Sequence, residues 1–418
     1  MQTSLPDPYR LTPRGRRAES ILRSCVHCGF CNATCPTYQV LGDELDGPRG
    51  RIYLIKDMLE TQQTDEVVVT HLDRCLTCRA CETTCPSGVA YGELLEIGRD
   101  FVETHHRRGT LDRLTRNWLR RVVPHPEVFN RWMRLGRFFR FLLPRRLASQ
   151  ISRPAGRAAA TPVAASCGKG RVLLLDGCVQ RLSTPDTNQA LKRLLADAGV
   201  EVVSLADEQC CGGLSLHLGA QPEALDYMRG NLDAIGPVLG EVDAVISTAS
   251  GCGVTLKDYE RLLENEERHA GVARAFSRKV MDVGEYLLRL GVGWGKRDDL
   301  HRIALHLPCT LQHGMGLSDP PRQLLEAAGY ELVPVQDAHL CCGSAGTYSM
   351  LQPELAGTLR ARKLECLQAQ GPEIIATANV GCQMHLATEA GVSVVHWMEL
   401  LVSPSAEGSK RVEGEQGE

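Results

Sequence analysis

Two identically spaced cysteine runs constrain this chain more than any other feature. Cys25, Cys28, Cys31 and Cys35, followed by Pro36, recur fifty residues on as Cys75, Cys78, Cys81 and Cys85, followed by Pro86. The spacing C-x2-C-x2-C-x3-C-P is the bacterial run for a [4Fe–4S] cluster. Three thiolates so spaced can line one face of a compact iron–sulfur cube only if the loop winds tightly around it. The fourth, fixed by proline, points away, and in two-cluster ferredoxins it ligates the other cluster. The expected sets are therefore Cys25, Cys28, Cys31 and Cys85 for one cluster, and Cys75, Cys78, Cys81 and Cys35 for the other. The plain alternative, structural zinc, usually takes four ligands as two separated pairs. Two unbroken runs of four, each with its proline, favour iron and sulfur.

A longer repeat follows. Cys178, Cys210–Cys211 with Gly212, and Cys252 recur as Cys309, Cys341–Cys342 with Gly343, and Cys382. RVLLLDGC before Cys178 matches RIALHLPC before Cys309, and STASGC matches ATANVGC. Short β-branched runs (VLLLDG, VEVVSL, DAVISTAS) alternate with helical stretches, which argues α/β layers with a largely parallel sheet in each repeat. Thr184 or Asp186 is the expected cap of the helix in TPDTNQALKRLLADAG. Four thiols at strand ends are candidate ligands, and the glycine after each pair is expected to let backbone approach what they hold. His306, His313, His339 and His385 gather near the second set, and only His217 lies near a pair in the first. The plain alternative is buried thiols acting as small hydrophobes. After Cys252 the first repeat alone carries an extra helical stretch, RLLENEERHAGVARAFSRK.

The net charge of −3 over 418 residues hides an asymmetry: −3 over 1–100, +12 over 101–170 and −12 over 171–418. Residues 105–147 hold twelve arginines, no lysine and two acids, with Trp118, Phe129, Trp132, Phe138, Phe139 and Phe141 interleaved. Trp132, Leu135, Phe139 and Leu142 share a helical face beside Arg131, Arg134 and Arg137. That pattern suits an anionic membrane surface or an acidic partner subunit, against the plain reading of a solvated helix packed on its own domain. No DNA- or RNA-binding motif accompanies it, so no nucleic acid is expected.

The predicted architecture is α+β and multidomain. An α-helical ferredoxin-like domain over 1–104 carries two [4Fe–4S] clusters. A basic aromatic helical segment (105–147) and a linker (148–170) follow. Two tandem α/β cysteine-rich repeats span 171–297 and 298–402, before a disordered tail over 403–418. No apolar run is long enough to span a membrane. The opening residues show no signal-peptide core, so the expectation is a reducing cytoplasm, where 18 cysteines mean metal or redox chemistry rather than disulfides. No dinucleotide fingerprint, phosphate loop, catalytic triad or carboxylate pair stands out. Relay clusters without hydride or flavin chemistry point to one part of a larger oxidoreductase, and no catalytic residue is assigned.

The order of two ferredoxin runs and two CCG repeats resembles the iron–sulfur subunits of glycolate oxidase, of anaerobic glycerol-3-phosphate dehydrogenase, and of lactate-utilisation or heterodisulfide-reductase-type systems. CVHCGFCNATCPTYQVLGDELDGPRGRIYLIKDMLE and HLDRCLTCRACETTCPSGVAYGELLEIGRD look most like the glycolate oxidase subunit. The resemblance implies FAD-binding partner subunits that oxidise glycolate to glyoxylate. It also implies electron flow to a membrane quinone, with the chain peripheral on the inner face of the cytoplasmic membrane. Heterodisulfide-reductase-type members end the CCG repeat in Cys-x2-Cys. Here those positions read Cys252-Gly-Val-Thr255 and Cys382-Gln-Met-His385. A possible additional iron–sulfur centre is therefore expected in the second repeat, on Cys309, Cys341, Cys342, Cys382 and His385. Cys178, Cys210, Cys211 and Cys252 form the weaker candidate. The opposing reading is a self-sufficient reductase acting at these repeats.

Overall fold

A computed structural model describes residues 1–138, 168–291 and 301–402. Most of the expected linker, and the whole expected tail, lie outside these residues.

The N-terminal part is helical. In GRIYLIKDMLE the apolar residues recur at helical spacing and form the Pro48–Thr61 helix, with Pro48 where a helix start tolerates it and Gln62 left-handed at its end. The Glu66–Asp73 helix begins where the Asp65 carboxylate accepts from the Val68 amide. The Tyr91–His105 helix lays Leu94, Leu95, Phe101 and Val102 against Ile55, Leu59 and Leu72 in one core. Gly98 permits that approach, since a Cβ there would meet Ile55 at 3.0 Å.

The rest is two four-stranded, all-parallel sheets of the same order. In the first, β1 (Arg171–Leu175), β2 (Glu201–Val203), β3 (Ala244–Ser247) and β4 (Val280–Asp282) run β2-β1-β3-β4. In the second, β5 (Arg302–His306), β6 (Glu331–Val333), β7 (Ile374–Thr377) and β8 (Ser393–His396) run β6-β5-β7-β8. The registers correspond: Val172 pairs Ala244 as Ile303 pairs Ile374. The central strands are buried on both faces, hence their unbroken apolar runs. The extra stretch of the first repeat forms short helices over Tyr259–Leu262 and Ala270–Lys279 that pack Phe276 and Ala273 into its outer core.

One core joins the repeats. Leu191, Leu194 and Leu195 of the Pro185–Asp197 helix meet Leu324, Leu325, Trp397 and Met398 of the second repeat. His396, fully buried, places Nε2 at 3.0 Å from the Thr248 carbonyl, and the Ser250 and Thr310 hydroxyls meet at 2.8 Å. The facing ends of the two sheets are thus fixed to each other.

Two sequence expectations change. Thr184 precedes the Pro185–Asp197 helix, yet neither it nor Asp186 caps it: the Thr184 hydroxyl is buried without a partner. Pro185 in the first turn sets the start, its fixed φ suiting that position. The CCG glycines also serve another purpose. Gly212 and Gly343 are left-handed (φ +87° and +90°), and a Cβ would strike the Ala224 carbonyl oxygen at 2.9 Å or that of Ala356 at 2.7 Å. The glycine therefore admits a helix backbone behind the thiol pair, rather than a ligand in front of it.

Gly343→Ala should combine left-handed strain with overpacking and cost about 2–5 kcal/mol. Gly316→Ala, also left-handed but with nothing within 4 Å, should cost about 1–2 kcal/mol. Urea-unfolding midpoints of the two variants check the difference.

Candidate metal centres

The two cysteine loops are built alike. In each, the second residue after the first cysteine is left-handed, His27 at φ +59° and Thr77 at +55°, and so is the fourth, Gly29 at +83° and Arg79 at +58°. Three of these four are not glycine, so the backbone accepts strain to wind the loop. Arg79 takes the position Gly29 holds in the first run because its side chain has a second task. Its guanidinium meets Asp258 of the first CCG repeat at 2.6 Å, beside the Arg261–Glu96 pair at 3.0 Å.

That winding gathers the thiols around two cavities. One is lined by Cys25, Cys28, Cys31 and Cys85, with Cys81 at its wall. The other is lined by Cys35, Cys75, Cys78 and Cys81. Each fourth cysteine thus faces the cavity of the opposite run. Burial pushes the Cys31 thiol up to about 11, with neighbouring sulfurs adding to the shift. Burial likewise carries Cys78 and Cys81 well above the usual thiol range. Converging thiols that resist ionisation fit a cationic inorganic core, whose charge would hold them as thiolates.

The two cavities differ in setting. The first lies at the surface: Cys28 is exposed, Val26 lines it at 68% exposure, and Tyr53, 56% exposed, meets the lining His27 edge to face. The second is walled by the buried thiols Cys35, Cys75 and Cys81. Arg51, 1% exposed, sends Nη1 to Cys35 Sγ at 3.8 Å and Nε to the His71 carbonyl at 2.7 Å. Asp46 neutralises it at 3.3 Å while also meeting His71 Nδ1 at 2.9 Å and Arg74 at 3.0 Å. Burial disfavours the Arg51 cation, but Cys75, Tyr91, Cys35 and Asp46 overcome that and raise its pKa. The Tyr91 hydroxyl donates to Cys75 Sγ at 3.5 Å, and Arg99 Nη2 to the Cys75 carbonyl at 2.7 Å. Leu76 and Cys78 then pack against Cys309, Cys341 and Tyr348 of the second repeat, where the Tyr348 hydroxyl donates to the Arg74 carbonyl at 3.1 Å.

In the first CCG repeat the four thiols act on one another: Cys178 and Cys211 raise the Cys210 thiol, Cys211 raises that of Cys252, and Cys210 and Cys252 lower that of Cys211. His217 lies near Cys211 and is half-buried; desolvation and Arg99 hold it down to about 4. Thr255 donates back to the Gly251 carbonyl at 3.3 Å. In the second repeat Cys309 Sγ stands 3.7 Å from Cys341 Sγ, and the Cys342 and Cys382 sulfurs lie within 4.8 Å of each other. His385 does not join them. It sits one turn past Cys382, with Nε2 facing the Ala356 carbonyl at 3.3 Å, and burial pushes it down to about 4. The imidazole beside the thiols is His306, at the end of β5. His313 instead bridges Thr83 Oγ1 (3.0 Å) and the His339 carbonyl (3.2 Å). His339 contributes that backbone carbonyl.

The basic segment divides. Arg108 and Arg116 clamp Asp73 at 2.6 and 2.7 Å, and Arg120 meets Glu223 of the first repeat at 3.2 Å. Burial alone would raise the Asp73 carboxyl, but Arg116, Arg108 and Arg99 hold it below the usual range. These arginines are structural. The outward face was only partly legible: in the Thr110–Val122 helix Leu111, Leu114 and Trp118 point to solvent, beside Trp132 and Leu135 of the Pro126–Phe138 helix. Trp118 and Trp132 meet edge to face at 5.6 Å. Arg131 and Arg134 are exposed on the same helix. Phe139, Arg140, Phe141 and Leu142 lie outside the described residues. Among the described residues no helix is long and apolar enough to cross a membrane.

Residues 21–89 match the 4Fe-4S dicluster domain, and 172–257 and 303–387 each match the cysteine-rich CCG domain. The chain is therefore an iron–sulfur protein with a dicluster domain followed by tandem CCG repeats. It is 46% identical to the glycolate oxidase iron-sulfur subunit of Escherichia coli K12, covering 96% of this chain and 98% of that one. It is 32% identical to the probable glycolate oxidase iron-sulfur subunit of Bacillus subtilis 168, covering 93% and 95%. This chain belongs to the family of glycolate oxidase iron–sulfur subunits. Lactate utilization protein A of Bacillus subtilis is a more distant relative, 24% identical over 56% of this chain and 99% of that one. A crystal structure of a hypothetical protein from Helicobacter pylori shares the fold (TM-score 0.58, 9% identity), covering 96% of this chain and 75% of that one.

Proposed function

We propose that this chain is the electron-transfer subunit of a flavin-dependent glycolate-oxidising complex. Cys25, Cys28, Cys31 and Cys85 hold one [4Fe–4S] cluster, and Cys35, Cys75, Cys78 and Cys81 hold the other. The observation that carries this reading is the crossing of the fourth cysteines between two thiol-lined cavities. Each cluster, when bound, stores and passes one electron. Glycolate oxidation to glyoxylate on FAD-bearing partner subunits releases two electrons and two protons, so the pair holds the electrons of one turnover. Reduction of a membrane quinone to quinol consumes both electrons and two protons.

The residues divide the work by position. Exposed Cys28 and Val26 line the first cavity, so a partner subunit can bring its own redox group close to it there. Arg51 and Tyr91 aim positive charge and a hydroxyl donor at Cys35 and Cys75, which stabilises negative charge on that set. Cys81 borders both cavities, so the two sites share a wall. The exposed face of Leu111, Leu114, Trp118, Trp132 and Leu135, with Arg131 and Arg134 beside it, anchors the complex peripherally to the cytoplasmic membrane face.

The complex co-purified through this chain should reduce a quinone analogue with glycolate, and not with lactate or glycerol 3-phosphate. Activity with either of the latter alone would overturn the substrate assignment. The chain by itself, supplied with an artificial donor, should reduce no disulfide; if it did, the reading as a self-sufficient reductase would gain.

Replacing Arg131, Arg134, Arg137 and Arg140 with Gln should weaken binding of the complex to anionic vesicles at least several-fold. The loss should shrink as salt rises, since exposed charges are screened over about 8 Å at physiological ionic strength. Sedimentation with vesicles reads this directly, and unchanged binding would assign the segment to packing alone.

A further inference from the structure

Two residues that depart from the chain's own repeats meet each other. Arg79 stands where the first cysteine run has Gly29. Each precedes the short helix that carries the third cysteine of its run, and both are left-handed (φ +58° and +83°). Asp258 stands where the second CCG repeat has Thr388. Each ends the helix that carries the last cysteine of its repeat, Ser250–Lys257 with Cys252 and Val380–Ala387 with Cys382. Thr388 turns back on its own helix and donates to the His385 carbonyl at 2.7 Å. Arg79 Nη2 instead donates to Asp258 Oδ2 at 2.6 Å across the domain boundary, with the two side chains only 16% and 22% exposed.

The fold makes room for this pair and accepts strain for it. Left-handed backbone suits glycine and is costly for arginine. In the first run a Cβ on Gly29 would meet the Arg49 guanidinium at 2.6 Å, so that position has no space for a side chain. In the second run the space comes from Gly92, in the first turn of the Tyr91–His105 helix, where a Cβ would meet Arg79 Nε at 3.0 Å. Beyond the pair the charges alternate. Asp258 also meets Arg261 at 3.3 Å, Arg261 meets Glu96 at 3.0 Å and Glu93 at 3.7 Å, and Glu93 meets Arg17 at 2.7 Å. Three guanidiniums thus face three carboxylates, and losing either member of the pair leaves an unbalanced charge where solvent and salt screen it weakly. Arg79 lines the second thiol cavity and not the first.

We propose that Asp258 is a positioning residue for the second cluster. Acting through Arg79, it seats the turn between Cys78 and Cys81 on the first CCG repeat and offsets the positive charge that Arg79 brings to the cavity wall. This rests on the assignment of Cys35, Cys75, Cys78 and Cys81 to that cluster. It gives the first CCG repeat a part in electron transfer that does not depend on what its own thiols hold. Reduction adds one electron to the cluster and breaks no bond in the chain. A nearby negative charge disfavours that step and a nearby positive charge favours it. Removing the Asp258 carboxylate therefore makes reduction easier, and removing the Arg79 guanidinium makes it harder.

The test uses the full chain with both clusters assembled anaerobically, and reads midpoint potentials by redox titration followed by electron paramagnetic resonance. Cys28→Ser and Cys78→Ser assign the signals to the first and second cluster. Asp258→Asn should favour reduction of the second cluster at least about threefold, an upward shift of about 28 mV for a one-electron couple. Arg79→Gly, which installs the residue of the first run, should shift it downward by a similar amount. The double variant restores the charge balance and should return the potential to the wild-type value, as should the conservative Asp258→Glu. The first cluster should hold its potential throughout. A purely structural pair would lose second-cluster iron in both single variants without opposite shifts that cancel. Shifts of the same sign, no shift in either, or equal shifts in both clusters overturn the proposal and leave the cluster assignment standing. If Asp258→Asn fails to assemble, Arg79→Gly decides alone, and a potential that does not fall overturns the proposal. If Cys78→Ser removes neither signal, the cluster assignment falls and the proposal with it.

Discussion

Each cysteine run winds tightly enough to turn three thiols into one cavity, while the proline after the fourth turns that thiol into the neighbouring cavity. Everything else in the N-terminal domain follows from this crossing. Neither loop can form its site alone, so both must be held in register by the helices between and behind them. The left-handed residues His27, Thr77 and Arg79 are the local cost, and the buried core around Ile55, Leu72 and Leu95 offsets it. The Arg51–Asp46–His71 network then fixes the second cavity, placing a buried cation against Cys35 where thiolate charge must collect.

The two CCG repeats show how one topology diverges. Both sheets have the same strand order and register, and both set their thiols at the carboxyl ends of parallel strands, where α/β sheets commonly bind ligands. The first repeat adds helices after Cys252 that fill its outer core. The second keeps its loops short, brings Cys309 and Cys341 against Cys78, and ends its first strand with an imidazole. The shared core around Leu194 and Trp397 makes the repeats one body, so the second repeat is held against the second cavity.

Much of this was legible in the sequence, because cysteine spacing and strand periodicity are local signals. The paired runs, the tandem repeats and the strands around Val172 and Ile303 could all be read directly. What could not be read depends on tertiary register. His385 fell where related chains carry a fifth cysteine, but helical geometry turns it toward the Ala356 carbonyl. His306 was one of four histidines near the second set, and only the packing of β5 between β6 and β7 shows that it is the one beside the thiols. The arginines of the basic segment could not be sorted by composition. Arg108 and Arg116 are spent on Asp73, a partner more than thirty residues away, whereas Leu111 and Leu114 turn outward.

The central claim is that the fourth cysteine of each run serves the opposite cluster. Spectra of the reduced chain by electron paramagnetic resonance, with the clusters assembled anaerobically, test it most directly. Cys28→Ser and Cys78→Ser provide the reference signatures for damage to the first and second cluster. Cys35→Ser should reproduce the Cys78→Ser spectrum and leave the other cluster intact. A Cys35→Ser spectrum that instead matches Cys28→Ser would contradict the account.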